Sequence, residues 1–251
     1  MILRYKSIQK TNIMITQSPF LLIAFAALLH ASFQLGVSVL TMLSGHGLGL
    51  GRSFARLMRL NIAYVSGALC ISVLLFAGVY YLTLLLVPVS PVSLWGVATV
   101  LNSLIGLMVV LFYFRRTPKG TGLWIPRTMA EYLTTRTKKT KHTGEAFTLG
   151  AGCVLAEFPF IIGPLFTAVL YSLYSDTPYH LQITHLLLYV GISIAPLLII
   201  VGMVGAGHKL STIQQWREQN KRFLQYCAGS GLMLLGIYIY VDKVIDGGWG
   251  I

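Results

Sequence analysis

Glu157 is a carboxyl embedded in an apolar run, AGCVLAEFPFIIGPLF. An ionisable side chain inside such a run costs about 2.5 to 3.5 kcal/mol on membrane-insertion scales, so it is expected to be paired, protonated or lining a polar pathway. It can bind a cation or carry a proton; the structural alternative is a protonated carboxyl hydrogen-bonded across helices. His46 lies in the glycine-rich LSGHGLGLG, where an imidazole can carry a proton or hold a metal ion, or simply occupy an interfacial turn. His30, four residues before Gln34, would share its helical face and form a polar stripe with Gln34 and Thr41, unless these groups only glue helices together. Asn102 carries the same choice, with packing preferred.

The remaining chemistry is sparse. Cys70, Cys153 and Cys227 all fall in apolar segments without CxxC or Cys/His spacing, so neither a disulfide scaffold nor a zinc module is expected. GLGLGRS lacks the GKS ending and the preceding strand of a phosphate-binding loop. Nothing resembles a hydrolase triad, so neither an enzyme nor a cofactor is expected.

These residues must be positioned by membrane helices. The chain has 55% apolar and 10% charged residues, against roughly 25% charged in a soluble domain, and a soluble globule is excluded. Six charge-poor runs, at residues 18–43, 60–87, 92–114, 146–171, 184–205 and 223–241, are each long enough for a hydrocarbon core of about 30 Å at about 1.5 Å per residue. Glu157 is the one charged residue within them. Runs that are apolar all round argue for helices, because barrel strands would alternate with period two. Aromatics near span ends, such as Trp95, Tyr80 and Tyr81, read as interface anchors.

The net charge of +12 sorts by loop. Fifteen of the 19 Lys and Arg residues lie in the first, third and fifth loops, and none in the second or fourth. The positive-inside rule then puts the odd loops in the cytoplasm and both termini outside, in a cell (inner) membrane. Arg4, Lys6 and Lys10 oppose this and, ahead of FLLIAFAALLHAS, faintly resemble a signal peptide, but the apolar run continues to Leu43. The basic stretch at 138–142, KKTKH, reads as a topology anchor or an anionic-lipid contact; nucleic acid is not an expected partner.

An internal repeat organises the spans. Phe33-Gln34-Leu35-Gly36 is echoed by Phe147-Thr148-Leu149-Gly150. At a constant offset of 125 residues, Tyr64-Val65 matches Tyr189-Val190, Gly106-Leu107-Met108 matches Gly231-Leu232-Met233, and Tyr113 matches Tyr238. A three-span unit crosses an odd number of times, so its second copy is inverted, a frame in which sites lie near the midplane at interrupted helices. The expected interruptions are the glycines 45, 47, 49 and 51 at the end of span one, and Pro159 with Gly163-Pro164 in span four; Pro196 would kink span five. The fold class is therefore all-α: one polytopic transmembrane domain over 1–251, with repeat one at about 18–114, a basic cytoplasmic loop at 115–145 and repeat two at about 146–241.

This plan resembles the superfamily that groups thiol-electron carriers of the CcdA type, including the membrane domain of DsbD, with the LysE-type exporters. The resemblance rests on the six spans in inverted halves, the basic first loop entering GRSFARLMRLNIAYVSGAL, and GISIAPLLIIVGMVGAGHKL followed by CAGSGLMLLGIYIYV. CcdA-type proteins carry LSPC and CIGP; here those motifs read Leu43-Ser44-Gly45-His46 and Ile161-Ile162-Gly163-Pro164, without either sulfur. A dithiol relay needs a thiolate attacking a nearby disulfide, so that chemistry would fall to a relocated pair such as Cys70 and Cys153. Buried cysteines acting as small hydrophobes are the preferred reading. The expected function is movement of a small solute or ion through a midplane site formed by Glu157, His46, Gln34, Thr41, Pro159, Gly163 and Pro164. The alternatives are a thiol-disulfide electron carrier and a non-catalytic membrane subunit.

Overall fold

A computed structural model describes residues 19–33, 35–49, 53–85, 90–112, 114–117, 120–123, 127–174, 178–207 and 210–245. Buried in lipid, a backbone must satisfy its own polar groups, and a helix does so locally. The apolar runs accordingly form α1 (Pro19–Ser32), α2 (Leu35–Gly49), α3 (Phe54–Leu85), α4 (Pro91–Phe112), α6 (Thr143–Tyr174), α7 (Tyr179–Gly205) and α8 (Leu210–Ile239), the last extended by a π-helical turn, Tyr240–Ile245. Five of these helices are long and apolar enough to cross a membrane, and α1 with α2 supplies a sixth span if the bent pair counts as one. The stretch expected to be a plain loop, 115–145, contains further structure. Strands β1 (Phe114–Thr117) and β2 (Gly120–Leu123) pair antiparallel with Phe114 opposite Leu123, and α5 (Arg127–Lys139) follows.

Contacts sort the connections to two ends of the bundle. At one end, the Arg56 guanidinium donates to the Lys141 carbonyl at 3.2 Å, and Met58 lies beside Gly205. This gathers the first connection, the start of α6 and the end of α7. At the other end, the Tyr80 hydroxyl donates to Gln182 at 2.6 Å, and Trp95 stacks edge-on with Tyr171 at 4.8 Å.

Helix α6 is the central one, buried almost continuously from Phe160 to Ser172, whereas α3 and α4 each bury one face. Close approach depends on missing side chains. A Cβ at Gly67 would strike the Phe147 carbonyl, and one at Gly150 would strike the Tyr64 carbonyl, so α3 and α6 meet backbone to backbone. Gly106 and Gly229 do the same between α4 and α8.

Two expectations about interruptions are corrected. Span one is not continuous from 18 to 43: it breaks between Ser32 and Leu35, and its two parts are bent by 49°. Of the glycines expected to end it, Gly45, Gly47 and Gly49 are helical, and Gly51 lies outside the described residues. The Ser32 hydroxyl takes the Leu29 carbonyl at 2.6 Å and the Phe33 amide closes back on His30 at 3.1 Å, so side-chain competition and a tightened last turn end α1. Span four, by contrast, stays helical through Pro159 and Pro164, and α7 through Pro196. A transmembrane proline is tolerated where neighbouring groups meet the freed backbone.

Candidate functional site

The break in span one is also where the polar groups converge. Gly36 sits in the first turn of α2, where amides lack intrahelical partners. Its N–H donates to Glu157 Oε1 at 2.8 Å, and its carbonyl accepts from the Tyr64 hydroxyl at 2.9 Å. A carboxylate at a helix N-terminus is favoured by the dipole and by a charge-assisted hydrogen bond. Glu157 of α6 thus caps α2 from outside it, and Tyr64 of α3 holds the same residue from its other peptide group. Cys153 lies one turn before Glu157 on α6 and is buried beside them.

These groups border a small internal cavity of about 30 Å³. Its lining includes His30, Tyr64, Ser72, Cys153, Glu157 and Ser193. That volume holds one water-sized group. His30 Nδ1 lies 3.1 Å from the Tyr189 hydroxyl, and Tyr64 and Tyr189 are both fully buried. The Ser72 hydroxyl, only 3% exposed, has no hydrogen-bond partner, which leaves an unmet polar group at the cavity wall.

The sequence-expected residues divide. Glu157 and Cys153 border the cavity. Thr41 is buried but returns its hydroxyl to the Ser38 carbonyl of its own helix at 2.9 Å. Pro159 is exposed on the outer side of α6. Gly163 faces α4: Asn102 donates to its carbonyl at 3.3 Å and to Thr167 at 2.8 Å, an interhelical staple in line with the packing reading of Asn102. Pro164, next to it, is buried outside the cavity lining. Gln34 lies outside the described residues, and the break ends the continuous helix that would have put it on one face with His30. His46 belongs to α2, ten residues beyond Gly36 and so about 15 Å along the helix; its side chain is outside the described set. Cys70 is exposed on α3 whereas Cys153 is buried, and both are free thiols. Among the described residues, no three His, Cys, Asp or Glu side chains come together as a metal site requires.

Sequence reasoning missed Tyr64, Tyr189, Ser72 and Ser193 as site residues. The two tyrosines carried a signal, since they are partners at the 125-residue offset. The serines carried none. Compared with known proteins, the chain matches no family model, no curated protein and no solved structure.

Proposed function

We propose that the protein is a transporter-like integral protein of the cell (inner) membrane, moving a small solute or ion through the cavity at Glu157 between two inverted three-helix halves. One observation carries this reading: the backbone of a broken span is held inside the bundle by a carboxylate that also borders a cavity. An ionised Glu157 grips the α2 N-terminus through its charge; a proton or cation on the carboxylate weakens that grip. Loading Glu157 would then free α2 to swing about the break, which links occupancy of the site to rearrangement of the helices around it. A cavity sized for a single water favours a proton or small cation as the group carried in this conformation.

The inverted repeat receives support from the paired tyrosines. Tyr64 of α3 engages the Gly36 carbonyl on one side of the break, and its offset partner Tyr189 of α7 engages His30 on the other. Gathering of the odd connections at one end fits odd loops in the cytoplasm and both termini outside. Kinship with the LysE and CcdA superfamily belongs to the same proposal.

The test is proton flux into proteoliposomes loaded with pyranine under an imposed potassium-diffusion potential. Glu157→Gln keeps the shape and an acceptor oxygen but removes the titratable charge, so flux and its pH dependence should fall together. Unchanged flux with an unchanged pH profile would reject the role and leave Glu157 as a structural cap. A Cys70→Ser, Cys153→Ser, Cys227→Ser triple variant should keep its activity; loss in a normally folded protein would favour the thiol carrier. Reporter fusions between residues 113 and 141 should read cytoplasm and those after Ile245 exterior, and an intracellular C-terminus would sink the inverted arrangement.

A further inference from the structure

A second cavity lies far from Glu157, at the end of the bundle where the first connection meets the start of α6. It has a volume of about 230 Å³ and is lined by Arg56, Arg59, Leu60, Lys141, His142 and Thr143. That is several times the roughly 30 Å³ of one water. Two arginines, a lysine and a histidine are among the residues that line it, with no Asp or Glu. One carboxylate stands at its edge: Glu145 Oε2 accepts from the backbone amides of Lys141 and His142 at 2.7 and 3.2 Å, and the residue also lines a neighbouring cavity. The Arg56 contact to the Lys141 carbonyl joins the two walls. Among the described residues, the carboxylate ion pair is Lys243 with Asp242, on α8's terminal turn, so no side-chain ion pair ties up Arg56, Arg59 or Lys141 and the single Glu145 leaves the cleft net positive.

Concentrated positive charge with guanidinium forks, at the positive end of the α6 dipole, suits a phosphate group. The adjoining surface indicates what carries it. Arg59 heads an exposed row on α3 continued by Ile62 and Leu69, which are 54% and 39% exposed. Residues at this spacing share one helix face. An acyl chain lying along that row would deliver its headgroup phosphate to Arg59. We infer that the cleft of Arg56, Arg59, Lys141 and His142 is a binding site for the phosphate of an anionic phospholipid. This inference does not depend on transport at Glu157.

Purified full-length protein in dodecyl maltoside would be titrated with dioctanoyl-phosphatidylglycerol, dioctanoyl-phosphatidylcholine and inorganic phosphate, and saturable shifts in thermal unfolding would be read. Phosphatidylglycerol should bind saturably, with phosphatidylcholine and inorganic phosphate much weaker. The exposed pair Arg59→Gln, Lys141→Gln should weaken phosphatidylglycerol binding roughly 30-fold, from about fivefold per basic residue. A matched pair outside the cleft, Lys138→Gln with Arg222→Gln, should change it less than about threefold. If the double variant does not fold, Arg59→Gln alone should still cost about fivefold. No saturable binding by the wild type, or equal loss in both pairs, would overturn the site. Inorganic phosphate binding as tightly as phosphatidylglycerol would keep a phosphate site but overturn the lipid as its source.

Discussion

Spans one and four meet at Glu157 and Gly36, yet they treat their own backbones in opposite ways. Between Ser32 and Leu35 there is no proline, and the chain bends by 49°. Between Thr143 and Tyr174 there are two prolines, and the helix runs through both. The difference lies in what is available to the released peptide groups. At the break, Glu157 and Tyr64 stand ready for the N–H and carbonyl of Gly36, so leaving the helical ladder is compensated there. In span four Pro159 is exposed, and beside Pro164 the Asn102 amide and the Thr167 hydroxyl donate to the Gly163 carbonyl while the helix continues. In an apolar medium an unmet peptide group costs several kcal/mol. The break in span one is therefore accompanied by partners for its released groups, and prolines alone do not make one in span four.

The most severe way to disturb this contrast is Glu157→Leu. It removes the acceptor and strands a buried Gly36 amide, which should destabilise the protein by about 1 to 3 kcal/mol in detergent thermal unfolding, while Glu157→Gln retains most of that stability. Equal unfolding temperatures for Glu157→Leu and wild type would mean the break stands without its cap. Tyr64→Phe deletes one hydrogen bond to Gly36 and should lose about 1 kcal/mol, measured the same way. Substituting Gly45 tests the discarded alternative, that the glycine run interrupts span one. A Cβ at Gly45 meets nothing within 4 Å, so Gly45→Ala should stabilise by about 0.5 to 1 kcal/mol through helix preference. A drop in stability would return the interruption to the glycines. The smallest effect on flux is expected at Pro159→Ala, an exposed site in a helix that is already continuous: proton flux should be unchanged, while the regained amide donor should raise stability by up to about 3 kcal/mol. A large loss of flux there would make Pro159 part of the moving machinery after all.

Glu157 was legible in the sequence because a lone carboxyl in an apolar run is costly wherever the helix is placed. Tyr64 and Tyr189 were visible only as repeat partners, since a buried tyrosine on a helix does not disclose which carbonyl or imidazole its hydroxyl will meet. His46, Thr41 and Gly163 were expected to share a site with Glu157, but their distance from it depends on where α2 begins and on which face of α6 turns toward α4. The cationic cleft illustrates the same division. Its basic residues could be counted along the chain, whereas Arg56 and Lys141 are 85 positions apart and become neighbours only through the α3 and α6 contact.

The sequence by itself determined that the chain is a bundle of membrane-length helices with its positive charge in alternate connections, because hydrophobic burial and the cost of charge in lipid act on composition along each run, without reference to neighbours. Only the tertiary structure decided where a span breaks, which polar residues share a cavity and which basic residues share a cleft. Those outcomes depend on hydrogen-bond partners brought in from other helices, and a peptide group leaves its helix only where such a partner is waiting.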